Sequence, residues 1–102
     1  MFVFLTKDDA QEVRHKIGIL QDEMDLQIDY NLTQDQVNIL YSSIPYKKGI
    51  WYIPDFATDA VKGEMFDHIK VLTQISYDTT SKYEASKIRK QINRFNEIFG
   101  KL

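Results

Sequence analysis

Cysteine is absent from the sequence. That excludes disulfides, thiolate nucleophiles and cysteine-ligated metal sites. It fits a reducing compartment, and the expected location is the cytoplasm. Proline occurs twice and glycine four times. No linker rich in Pro, Gly or Ser divides the chain, and no glycine-rich phosphate loop is present. Nothing approaches the length of a membrane span. The Met1-Phe2-Val3-Phe4-Leu5 run is too short for a signal-peptide core and has no basic region before it. Charge of one sign is also missing: 13 basic and 15 acidic side chains leave a formal net charge of -2. That argues against a general nucleic-acid binder and against an acidic mimic of DNA.

What remains is an ordinary globular balance, 43% apolar and 27% charged over 102 residues. The length suits a single compact domain, 1–102, rather than two. Aromatics are abundant, with six Phe, six Tyr and one Trp. Each brings a large area to bury, and tyrosine can keep its hydroxyl at the rim.

Pro45 to Phe56 organises the rest. It holds both prolines and the only tryptophan, and proline stops helices because it lacks an N–H and fixes φ. Between the prolines, Ile50-Trp51-Tyr52-Ile53 has strong β preference and reads as a strand entered through a turn at Lys47-Lys48-Gly49. Met1 to Leu5 reads as another strand. Its apolar run without alternation suggests cover on both faces, although an end strand looks similar.

Thr6 begins a helix-cap signature, with Asp8 and Asp9 favourable at the positive end of the helix. The first helix then carries Ala10, Val13, Ile17, Leu20 and Met24 at steps of three and four. Gly18 inside it suggests a close helix contact. Residues 26–30 are ambiguous: the helical spacing continues to Ile28, whereas Leu26, Ile28 and Tyr30 also alternate as in a strand. The lean is to a continued helix, because no turn residue interrupts Gln21 to Ile28. A capping box, Thr33 with Gln36, starts a second helix through Val37, Leu40, Tyr41 and Ile44. After Pro54 and Asp55, a short irregular piece precedes a helix with Val61, Met65, Ile69 and Leu72. Ser81 and Glu84 form another capping box before a last helix with Tyr83, Ala85, Ile88, Ile92, Phe95 and Phe99, stopped by Gly100. The last two helices are expected to make an antiparallel hairpin. The fold class is therefore α+β, mostly helical, with about four helices and a small two- or three-stranded sheet.

No catalytic constellation stands out, and the chain is read as having no enzyme activity, no cofactor and no metal. Glu64 and His68 share a helix face as two ligands would, but a structural zinc site usually needs four. Asp22, Glu23, Asp25 and Asp29 read as a wet helix face. Ser42 and Ser43 lack a glycine-rich elbow.

Charge pattern says more than total charge. Residues 22–35 hold five acidic and no basic side chains, and residues 80–102 hold six basic and two acidic ones. Lys87, Lys90 and Arg94 recur at helical spacing and make a basic ridge. The ridge reads first as a soluble coat, next as a contact for an acidic protein partner, then as a phosphate contact. Tyr46, Lys47, Lys48, Trp51 and Tyr52 combine rings with cations, a pattern of protein hot spots and of single-strand platforms. In a strand Trp51 and Tyr52 point to opposite faces, and core packing is the leading reading of Trp51. The functional expectation is a small interaction or regulatory protein that binds a macromolecular partner. The alternatives are a nucleic-acid binder using the last helix, or a small homodimeric structural protein joined through Ile88, Ile92, Phe95 and Phe99.

Overall fold

The computed structural model describes every residue from Met1 to Leu102. It is an α+β fold with five α-helices and a two-stranded antiparallel sheet. No helix is long and apolar enough to cross a membrane. The chain divides into two compact units, Met1–Ala60 and Val61–Leu102.

The first unit contains the sheet. β1 is Phe2–Leu5 and β2 is Gly49–Tyr52, paired antiparallel with Phe2 opposite Tyr52, Val3 opposite Trp51, Phe4 opposite Ile50 and Leu5 opposite Gly49. Beyond the strands, the Ile53 N–H donates to the Met1 carbonyl at 2.9 Å. Between β1 and β2 lie α1 (Lys7–Asp22), α2 (Asp25–Tyr30) and α3 (Gln34–Ser43). The caps form as their residues suggest. The Thr6 hydroxyl accepts from the Asp9 N–H at 3.2 Å. Thr33 and Gln36 complete both halves of their box, at 3.1 and 2.9 Å.

The segment of ambiguous periodicity is helical, but it is not a continuation of α1. Met24 adopts φ 61, in the left-handed region, and α2 restarts from its carbonyl, which accepts from Gln27 and Ile28 at 3.1 Å. An unbroken helix would place Met24 in register with Val13, Ile17 and Leu20. The break re-phases the chain, leaving Met24 exposed and burying Leu26 completely. Asn31 ends α2 in the same left-handed region, φ 56, as asparagine tolerates. With residues 26–30 helical, the sheet has two strands.

β2 leads through Pro54 into a single 3-10 turn, Asp55–Ala57, ahead of α4 (Thr58–Asp78). This is the irregular piece expected before the regular helix. The unit boundary falls inside the first turn of α4.

The second unit comprises the rest of α4 and α5 (Lys82–Phe99). Contacts run in reverse order along the two helices: Lys62 donates to the Leu102 carbonyl at 2.9 Å, and the His68 and Phe95 ring centroids are 6.0 Å apart. Thr73 and Ser76 line one recess together with Arg89 and Ile92. That is the order of an antiparallel helical hairpin. The Ser81 hydroxyl accepts from the Glu84 N–H at 3.4 Å, but the Glu84 side chain does not return a bond to the Ser81 N–H, so only half of the expected box forms, and Tyr83 lies off the buried stripe, exposed to solvent. Gly100 follows α5 with φ -67, so its use as a stop does not rest on a left-handed conformation.

Candidate interaction surface

The sheet has two unlike faces. Val3, Leu5 and Trp51 point inward and are buried. Phe2, Phe4, Ile50 and Tyr52 point outward and are 68%, 60%, 65% and 53% exposed. These four are two pairs of direct cross-strand neighbours. The Phe2 and Tyr52 rings meet edge to face, centroids 4.7 Å apart, the contact expected of aromatic partners across a ladder. The cover on both faces suggested by the β1 sequence is thus provided by the chain on one face only. No charged residue lies within either strand.

The turn ahead of β2 is fixed from below. Arg14 on α1 donates from Nη1 to the Ile44 carbonyl at 3.1 Å and from Nη2 to the Tyr41 hydroxyl at 3.2 Å. Its guanidinium carbon lies 3.7 Å from the centroid of the Tyr46 ring and 4.6 Å from that of Tyr41. Cation–π contacts of this kind contribute about 0.5–2 kcal/mol each. Tyr46 thereby keeps an outward position without hanging free. Lys47 and Lys48, next in the chain, are exposed.

Trp51 takes the core position. It is fully buried, and its indole Nε1–H donates to the Ser43 hydroxyl at 2.8 Å, which in turn donates to the Leu40 carbonyl at 2.6 Å. Among the candidates near the central strand, Tyr46, Lys47, Lys48 and Tyr52 are therefore at the surface and Trp51 holds the floor beneath them.

The other candidates belong to α5, in the second unit. Lys87 and Lys90 are exposed, whereas Arg94 is half-buried and already engaged within the chain. The stripe considered for self-association is closed at its two phenylalanines. Phe95 and Phe99 are fully buried and meet edge to face, 5.6 Å between centroids. Ile88 and Ile92 are half-buried. Residues buried inside one chain offer no surface to a second, so Phe95 and Phe99 are closed to such a contact, while Ile88 and Ile92 stay partly accessible.

Two surface recesses lie on the helical hairpin. One, about 350 Å³, is lined by Thr73, Ser76, Tyr77, Arg89, Ile92 and Asn93. The other, about 290 Å³, runs along α5 beside Tyr83, Glu84, Lys87, Ile88 and Gln91. Glu64 and His68 stand one turn apart on α4, and neither is a free group. No three His, Asp or Glu side chains gather where a metal ion could be held.

Phe2, Phe4, Ile50 and Arg14 were not legible as surface determinants from the sequence. An apolar strand gives no alternation to say which of its faces is covered, and one arginine in a helix gives no sign of the rings it meets. No protein-family model, curated protein or solved structure matches the chain.

Proposed function

We propose that this chain is a non-enzymatic interaction protein that docks a protein partner on the outer face of its β1–β2 sheet, and that it works in the cytoplasm. The observation that carries the reading is the row of Phe2, Phe4, Ile50 and Tyr52, four large apolar side chains in cross-strand register and open to solvent. A contiguous exposed apolar patch is often a functional surface, and aromatic residues are favoured at protein interfaces. Lys47 and Lys48, exposed on the turn leading into β2, place two cations next in sequence to one end of the row, as the polar rim of an interface would. A cysteine-free chain suits a reducing compartment.

The nucleic-acid reading draws on Lys87 and Lys90. With Arg94 half-buried and engaged, two of its three cations stand fully at the surface, and phosphate affinity scales with the number of such contacts.

A photo-crosslinking residue in place of Phe4 tests the proposal in the native host, with the same residue in place of exposed Tyr83 on α5 as the comparison. Docking on the sheet gives protein adducts from position 4 and not from position 83. No protein adduct at position 4 rejects it. Salt-sensitive retention on RNA or DNA, lost in a Lys87→Glu, Lys90→Glu variant, would replace it with the nucleic-acid reading.

A further inference from the structure

We propose that the protein partner contributes an extended segment of its own chain, added as a third strand along the free edge of β1. This rests on the reading of the sheet as a protein-docking surface and adds the form in which the partner arrives.

The ladder sets the pattern. The Ile53 N–H donates to the Met1 carbonyl at 2.9 Å, and the Met1 ammonium donates back to the Ile53 carbonyl at 3.3 Å. In an antiparallel pair such an exchange recurs at every second residue. The register therefore makes Val3 with Trp51, and Leu5 with Gly49, the hydrogen-bonded pairs. At the pairs between them, Phe2 with Tyr52 and Phe4 with Ile50, the N–H and C=O of each residue point away from the neighbouring strand. The sheet has only two strands, so the backbone groups of Phe2 and Phe4 face out from the free side of β1. No bond from elsewhere in the chain reaches them. Donors and acceptors alternating along one line are matched by a second extended backbone. A helix uses its own N–H and C=O groups internally and cannot answer them.

Sequence separates the two edges. β2 opens on a glycine preceded by Lys47 and Lys48, and Pro54 follows it by two residues. Lysine and proline are the residues that discourage strand addition. β1 is Phe-Val-Phe-Leu, with three strong strand formers and no glycine, proline or charge. The nearest cation after it, Lys7, already belongs to α1. Phe2 and Phe4 carry both the outward backbone groups and the outward side chains. A strand bonded to them sets its paired residues on the same outer face, beside the two rings. The segment that fits is therefore extended and apolar or aromatic at every second position.

The probe is a synthetic nonapeptide, lysine at each end and valine alternating with threonine between, added to the purified chain. Amide hydrogen exchange is followed residue by residue by NMR. At saturation, exchange at Phe2 and Phe4 slows by about tenfold or more, while Ile50 and Tyr52 keep their rates. The same peptide N-methylated throughout changes none of the four, because methyl groups replace its donors and hold the backbones apart. Phe4→Pro removes one outward N–H without breaking a ladder bond and weakens binding by roughly tenfold. Phe4→Val, which keeps the N–H, and Ile50→Pro, on the opposite edge, weaken it less. Far-UV circular dichroism confirms that each variant is folded, and the exchange measurement needs no variant if Phe4→Pro does not fold. Protection at Ile50 and Tyr52, alone or as well, overturns the choice of β1. Protection of Phe2 and Phe4 that grows with the concentration of the chain alone gives the edge to a second copy and overturns the partner strand. No protection by the peptide, with a protein adduct still formed from position 4 in the host, overturns strand addition and leaves the docking face standing. A missing adduct removes the docking reading and this proposal with it.

Discussion

Phe4 lies directly across the ladder from Ile50, and both side chains face away from the core. Their neighbours Val3 and Leu5 do the opposite. Adjacent residues of nearly equal hydrophobicity therefore differ in what they hold together. Leu5→Ala is expected to destabilise the fold by about 2–5 kcal/mol, since it empties a fully buried site. Phe4→Lys, measured where the chain is monomeric, is expected to change stability by no more than about 0.5 kcal/mol. Urea denaturation of both variants decides the matter. A large loss for Phe4→Lys would mean that the outer face is covered within the chain.

Trp51 provides a second contrast, because its indole is tied as well as buried. Its Nε1–H donates to Ser43 at the end of α3, joining β2 to the helix that precedes it. Ser43→Ala removes this acceptor and is expected to cost about 1–3 kcal/mol. Trp51→Phe removes the donor and leaves a gap. If the hydrogen bond couples the two residues, the double variant is less destabilised than the two single losses added, by about 0.5–1.5 kcal/mol. Strict additivity in a double-mutant cycle would show that packing alone holds the tryptophan.

Arg14 does for the Ile44–Tyr46 turn what Ser43 does for Trp51. A planar guanidinium serves two acceptors and two ring faces together, and an ammonium cannot reproduce that geometry. Arg14→Lys is expected to lose about 1–2 kcal/mol and to speed amide exchange selectively over residues 44–50. The reciprocal control, Lys16→Arg on the same helix, should leave both unchanged. Uniform exchange across the first unit in Arg14→Lys would remove the claim that this side chain orders the turn locally.

Local chemistry made much of this fold legible. Thr6, Thr33 and Ser81 mark helix starts because a hydroxyl can meet an orphan N–H regardless of tertiary context. The two prolines bracket β2 for an equally local reason. Where the reading fell short, the deciding term was non-local. Helical spacing carries Met24 into the α1 stripe, and nothing nearby announces a break, because burial of Leu26 is what favours re-phasing. The stripe of α5 was legible as apolar, yet its cover was not, and Phe95 and Phe99 are closed off by this chain itself. The outer sheet face was hidden because period-two patterning is silent when both faces are apolar.

The Met24 break and the Gly18 contact lead to opposite substitutions with the same sign. Gly18 lies inside α1, where a Cβ would meet Cε2 of Tyr41 at 3.6 Å, an ordinary van der Waals distance. Nothing has to move to admit alanine, and the unfolded chain loses freedom, so Gly18→Ala is expected to stabilise by about 0.5–1 kcal/mol. Met24 has the converse problem: its side chain is exposed and its backbone sits at φ 61, which disfavours residues with a Cβ by roughly 1–2 kcal/mol. Met24→Gly relieves that strain at a smaller entropic loss and is expected to gain up to about 1 kcal/mol. At Gly100 the direction reverses, because a Cβ would stand 2.5 Å from the Asn96 carbonyl oxygen; Gly100→Ala is expected to destabilise the end of α5. Thermal unfolding of the three variants gives two increases and one decrease in Tm. A loss at Gly18→Ala would place α1 and α3 closer together at Tyr41, and a loss at Met24→Gly would show that the break is held by the methionine side chain.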